Sequence, residues 1–289
     1  MKSIVPSNRK VSRPFFEKPG AWLMLLSGLL CSILAAAQDN TGIQSFSIQS
    51  RILGEQRNFE VYTPAVKGKL DVIYVLDGQA QFINVVNALK QMGQQQKIVV
   101  GIDNIWLRDR DYTPTAMASS PFLDQRAASV SGGGQKFIEH LEKELLPYID
   151  ANYPAGDSRM LIGHSLGGLI AVEMLMKHPA MFRKYLIIDP SMWGDDGKLV
   201  KETISLKKTT QQVSVFLAIA NTMSKDKKDL EAIRKDTSRQ TAQTRPTLLL
   251  LDNLKSGSAI SFDWRYYPAE DHMSVFLPAV KDGLYFLLK

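Results

Sequence analysis

The stretch "RMLIGHSLGGL" at 159–169 passes from an apolar run, through a serine flanked by glycines, into a second apolar run. Strand and helix propensities would both prefer other residues at Gly163, Gly167 and Gly168. A strand that turns sharply into a helix needs them. Side chains at 163 and 167 would collide across such a turn, and Gly168 would let the helix pack close to neighbouring strands. Ser165 would then sit on a strained backbone at the amino end of a helix, where free N–H groups and a partial positive charge favour a developing oxyanion. The alternative is an ordinary glycine-containing connection. A lone G-x-S-x-G pattern is weak, so the rest of the chain has to decide.

On either side of this stretch, short β-rich runs recur from residue 45 onward. "FSIQSRIL" and "NFEVYTP" come close together and are expected to pair antiparallel. "LDVIYVLDG", "KIVVGIDN", "RMLIGHS", "KYLIIDP", "VSVFLAIAN" and "SFDWRYYPA" follow, most of them continuous apolar runs of the kind buried on both faces of a parallel sheet. Helical patterns separate them. "QFINVVNALKQM" spaces Phe82, Val85, Val86 and Leu89 by three and four, and "GGGQKFIEHLEKELLPYIDANY" does the same with Phe137, Ile138, Leu141, Leu145 and Ile149. "LGGLIAVEMLMKHP" is apolar almost all round, and "SVFLPAVKDGLYFLL" closes the chain with another amphipathic pattern. The alternation predicts an α/β fold with about eight mostly parallel strands and helices on both faces. The segment 105–134 has little periodicity and is long for a connection. It follows a strand, so it should lie at the sheet's carboxyl edge, where open α/β folds bind ligands.

A serine hydroxyl needs a general base. Of the four histidines, His140 lies in a charged helix and is expected at the surface, His164 orients the turn, and His178 ends a helix before Pro179. His272, in "YYPAEDHMSV" after the last strand, is the expected base, in the chain order Ser, acid, His. The acid should follow the seventh strand, where Asn221, Thr222 and Met223 cannot ionise. Asp236, at the start of the next long helix, is the expected acid, with an N-cap as its other role. Asp226 is the runner-up, and a Ser165–His272 dyad without an acid is the third option. Two backbone N–H groups, of Leu166 and of Gln79 in "VLDGQAQF", are the expected oxyanion donors. Arg108 and Arg110 either clamp an anionic substrate or pair with Asp109 and Asp111 to order their loop.

The first 37 residues differ from the rest. Lys2, Arg9, Lys10, Arg13 and Lys18 precede the 17-residue apolar run "AWLMLLSGLLCSILAAA", which ends in small residues. This is the pattern of a cleaved secretory signal over 1–37, leaving one domain over 38–289 in the periplasm or outside the cell. An uncleaved anchor is the alternative, and stable membrane insertion is not expected after cleavage. Cys31, the only cysteine, lies in the leader, so the remaining chain has no disulfide, zinc-thiolate or cysteine nucleophile open to it. The 35 Lys/Arg and 29 Asp/Glu of the chain fall to 30 and 28 without the leader, a net charge of +2. With no basic cluster interleaved with aromatics, nucleic acid is not an expected partner.

"YVLDGQAQF", R-x-R-D-Y-T-P at 108–114, "GGGQKFIEHLEKELLPYID", "IGHSLGGL", "DPSMWGDD" and "EDHMSV" occur in this order. Together they resemble the putative-esterase family of α/β-hydrolases, which includes enterochelin- and bacillibactin-type siderophore esterases, over roughly residues 42–289. The resemblance implies an α/β-hydrolase fold, Ser165 as nucleophile, His272 as base, and Gln79 and Leu166 as oxyanion donors. It also implies that the Arg108–Tyr112 loop, with Arg110, and Trp193 border the pocket. The expected activity is hydrolysis of a small-molecule ester, a siderophore lactone or an acylated sugar, with neither a metal nor an organic cofactor required. Acyl transfer to an alcohol, and a catalytically inactive binding protein of the same fold, are the competing readings.

Overall fold

The computed structural model describes residues 42–118, 122–221 and 229–289. The leader and Asp226 lie outside the described residues. The first two apolar runs form β1 (Ile43–Ser50) and β2 (Glu55–Tyr62), paired antiparallel with Phe46 opposite Phe59. Six further strands follow: β3 (Leu70–Leu76), β4 (Ile98–Ile102), β5 (Ala155–His164), β6 (Lys184–Ile188), β7 (Val213–Ala220) and β8 (Ile260–Tyr267). These six run parallel, and β2 joins β4 antiparallel, in the order β1-β2-β4-β3-β5-β6-β7-β8. The eight-stranded, mostly parallel sheet is the one the apolar runs predict. All of the described residues belong to one unit, Ala36–Lys289.

Continuous apolar strands serve two cores because successive side chains point to opposite faces. Val72, Tyr74 and Leu76 of β3 enter one core, while Ile73 and Val75 enter the other. The helices are α1 (Gly78–Gln91), α2 (Arg108–Asp111), α3 (Gln125–Val130), α4 (Gly134–His140), α5 (Leu146–Asn152), α6 (Leu166–Lys177), α7 (Gly194–Glu202), α8 (Leu230–Lys235), α9 (Thr244–Lys255) and α10 (Phe276–Leu287). α1 and α10 cover one face with Phe82, Val86, Val280 and Leu284. α4, α5, α6 and α9 cover the other. Among the described residues no helix is long and apolar enough to cross a membrane.

His140 departs from the sequence expectation, because it is fully buried. A π-helical turn, Leu141–Leu145, joins α4 to α5. The His140 Nδ1 lies 2.6 Å from the Glu144 carboxylate, which also accepts from Ser50 Oγ (2.6 Å) and the Arg51 N–H (2.9 Å). The charges of this helix face thus hold the β1–β2 turn instead of facing water.

A second ionic cluster fixes the 105–134 segment to the sheet. Arg57 of β2, 2% exposed, donates to Asp111 at 2.6 Å and to Asn104 at 2.7 Å. Arg110 forks onto Glu55 and also donates to Asp111 at 2.7 Å. A buried charge is tolerable only when it is paired and hydrogen-bonded, and each of these is.

Candidate active site

β5 turns into α6 at Ser165, whose φ of 59° and ψ of −121° are rare for a residue with a side chain. Two glycines make the turn possible. A Cβ on Gly163 would run into the Gly167 carbonyl, and one on Gly168 would stand 2.8 Å from the Pro190 Cβ. The turn is held by the Ser165 N–H, which donates to the Ile188 carbonyl of β6 at 3.1 Å. Leu166, at the first position of α6, has an N–H with no acceptor inside the helix.

His272 lies between β8 and α10. Its Nε2 is 2.9 Å from Ser165 Oγ, and its Nδ1 is 2.6 Å from Asp189 Oδ2. A carboxylate oxygen accepts, so Nδ1 carries the proton and Nε2 is left to accept the Ser165 proton. His164 braces this loop: its Nε2–H donates to the His272 carbonyl at 2.7 Å, and the two rings lie 4.6 Å apart. Burial, reinforced by the neighbouring imidazole, pushes His164 down to about 4, so it is neutral and keeps that donor role at neutral pH.

The carboxylate that meets His272 is Asp189, not Asp236. Asp236 ends α8, where its two oxygens accept from the Ser238 N–H and Oγ, each at 2.8 Å. It caps a short helix and is not at the start of α9. Asp189 instead follows β6 directly, inside the "DPSMWGDD" stretch. It is 5% exposed, its N–H donates to the Ala218 carbonyl at 2.8 Å, and its Oδ1 accepts from the Ala220 N–H at 3.0 Å. The carboxylate that reaches His272 thus follows the sixth strand, one strand before the position expected for the acid. Asp189 shares a backbone feature with two other strand-end residues. Asp77, Ser165 and Asp189 each follow a strand at once, on the neighbouring β3, β5 and β6, and each has positive φ (55°, 59° and 37°).

Around Ser165 lies a pocket of about 360 Å³ whose lining includes Arg108, Phe122, Leu166, Trp193, Gln243 and His272. Phe122 and Trp193 pack together, with ring centroids 5.2 Å apart, as an aromatic wall. Arg108 lines the pocket and pairs with Asp77 at 3.3 Å, so it turns one side to the protein and the other to any ligand. Arg110 is not part of the lining; Glu55 and Asp111 take its guanidinium. Tyr112 is fully buried, and its hydroxyl accepts from the Asp77 N–H at 3.0 Å, so it supports the turn after β3 from below. Gln79, second in α1, is also absent from the pocket lining. Its side-chain oxygen accepts from the Asn104 N–H at 3.0 Å, and its own N–H is turned to the Asp103 carboxylate, so the structure does not place it at the oxyanion position expected from the sequence. Ser191, which the sequence did not single out, lines the pocket with its Oγ 3.3 Å from Ser165 Oγ.

Comparison with known proteins points the same way as this geometry. The ferri-bacillibactin esterase BesA of Bacillus subtilis (strain 168) is 27% identical over 259 residues, covering 81% of this chain and 86% of BesA. The uncharacterised protein YbbA of the same organism is 30% identical over 186 residues, 61% of this chain and 72% of its own. Among solved structures, an IroE-like serine hydrolase from Shewanella oneidensis superposes with a TM-score of 0.73 at 30% identity, covering 84% of this chain and 78% of that one. A family model described as "Esterase: Putative esterase" matches residues 50–280. The chain is therefore a member of this esterase family, an α/β-hydrolase of the serine-hydrolase type related to the siderophore esterases.

Proposed function

We propose that the chain hydrolyses a carboxylic ester through an acyl-enzyme on Ser165. The observation that carries this is the unbroken line of hydrogen bonds from Ser165 Oγ to His272 (2.9 Å) and from His272 to Asp189 (2.6 Å). His272 Nε2 takes the Ser165 proton as Oγ attacks the ester carbonyl, then gives it to the leaving alcohol. Asp189 holds the imidazole in the tautomer that can do this and stabilises the imidazolium. The N–H of Leu166, at the amino end of α6, receives the oxyanion. Water then takes the place of the alcohol and releases the acid.

The substrate we favour is a siderophore-type ester. BesA is named for ferri-bacillibactin, and the pocket offers an aromatic wall, Phe122 and Trp193, beside the cation Arg108. That combination suits an aryl or catecholate ester carrying negative charge. Residues 1–37 serve as a cleaved export signal, so the enzyme acts in the periplasm or outside the cell. Amino-terminal sequencing of the protein recovered from those fractions should begin at or near Gln38.

Labelling with a fluorophosphonate, followed by hydrolysis assays on catecholate-lactone, feruloyl, acetyl-sugar and short acyl esters, tests the reading. Wild type should label once and prefer the catecholate lactone, and Ser165→Ala should do neither. Labelling without preference would remove the siderophore assignment, and absence of labelling would remove the esterase mechanism. Added acceptor alcohols should not divert the acyl group.

A further inference from the structure

We propose that Ser191 is a second catalytic hydroxyl, which donates its hydrogen to the Ser165 oxygen and assists its departure when the acyl-enzyme breaks down. This rests on Ser165 being the nucleophile. Ser191 Oγ stands 3.3 Å from Ser165 Oγ, and the residue is 5% exposed yet lines the pocket.

Its position is fixed from several sides. The Ser191 N–H donates to the Ser165 carbonyl at 3.0 Å, tying the loop after β6 to the elbow itself. Pro190 fills the space that Gly168 leaves open, and its carbonyl accepts from Thr247 Oγ1 of α9 at 3.2 Å. Asp189, one residue further back, is bonded to β7 through both its N–H and its Oδ1. One tripeptide, Asp189-Pro190-Ser191, thus sets both the imidazole and the second hydroxyl.

Counting protons gives the direction of the Ser191 bond. His272 Nδ1–H donates to Asp189, so Nε2 can only accept, and the single Ser165 proton goes to it. The Ser165 oxygen is then left with lone pairs for its other neighbour. Ser191 is the donor.

This bond acts with opposite sign in the two halves of the reaction. During acylation Oγ gives an electron pair to the carbonyl carbon, and a donor on Oγ slightly opposes the attack. During deacylation water adds to the acyl carbonyl and passes a proton to His272 Nε2. The C–O bond to Ser165 then breaks, the electron pair stays on Oγ, and the proton returns from Nε2 to Oγ. Negative charge gathers on Oγ as this happens, and the Ser191 O–H···O bond strengthens. Ser191 keeps its own proton throughout.

Stopped-flow hydrolysis of 4-nitrophenyl acetate separates the two halves. In Ser191→Ala the burst rate constant should stay within about twofold of wild type, or rise. The steady-state kcat should fall roughly tenfold, the effect of losing one hydrogen bond to a charged oxygen. Ser191→Thr, which keeps the hydroxyl, should restore kcat. Full fluorophosphonate labelling of each variant shows that the elbow is intact. Should Ser191→Ala fail to label, Ser191→Cys replaces it, and its weaker S–H donor should lower deacylation alone. An unchanged deacylation rate, or burst and kcat falling together without rescue by Thr, overturns the role of Ser191. A wild type that neither bursts nor labels overturns the Ser165 reading instead.

Discussion

Asp189 is held facing His272. One of its oxygens accepts from the Ala220 N–H, its own N–H reaches Ala218, and the remaining oxygen meets Nδ1 at 2.6 Å. Asp189→Asn keeps the shape but lets an amide donate to Nδ1, which favours the wrong imidazole tautomer. We expect kcat/KM on an activated ester to fall by about 10³–10⁴-fold, mainly in kcat. Asp236→Asn should leave it within about twofold, because that carboxylate is occupied by Ser238. Equal losses in the two variants would count against Asp189 as the acid. At this scale the sequence was informative about Ser165 and His272, since each sits at a junction that strand and helix periodicity mark. It was silent on which Asp partners His272, because a carboxylate's role depends on what the fold brings to it. Asp189 is a strand-end residue like Ser165, and only the sheet order sets the two side by side.

At the scale of elements, the sheet and its main helices were legible because short continuous apolar runs alternate with longer segments whose apolar residues recur every three or four positions. What sequence pattern did not reveal was where charged residues go. The face of α4 and the π-turn that carries His140 and Glu144 looks solvated by composition, yet it anchors the β1–β2 turn. The loop arginines looked like a pair, yet Arg108 lines the pocket while Arg110 is committed to Glu55 and Asp111. Charge runs have no period, and only tertiary contacts sort them. Arg57 and Asp111 test this sorting directly, since both are almost fully buried and lie 2.6 Å apart. Arg57→Met leaves buried Asp111 with Arg110 as its one remaining guanidinium partner and should lower unfolding free energy by about 1.5–3 kcal/mol. Urea denaturation measures it. Because α2 carries both Asp111 and Arg108, the variant should also raise KM more than it lowers kcat. A loss under about 1 kcal/mol would mean that the loop is not held through this pair.

Across the whole molecule, His164, His140 and Glu144 titrate below their ordinary values, while burial raises Asp77, Asp103 and Glu60 and so acts with the opposite sign. Burial beside His272 holds His164 at about 4, below its ordinary value of 6.5, and burial also lowers His140. Glu144 is held at about 2 because its hydrogen bonds from Ser50, His140 and the Arg51 and Ile52 N–H groups outweigh the cost of burial. For His164, His140 and Glu144, the unfolded chain binds a proton at a pH where the folded chain does not, so stability rises with pH across that window. The His164 contribution is fully present above about pH 6.5 and is lost as pH falls towards 4. The Glu144 contribution is lost below that, between about 4.5 and 2. The urea midpoint should therefore decline in two overlapping stages. His164→Gln, whose amide can still donate to the His272 carbonyl, should flatten only the upper stage while leaving the lower one in place. An unaltered upper stage in His164→Gln would show that the elbow histidine does not couple folding to protons, and the first stage would then have to come from His140.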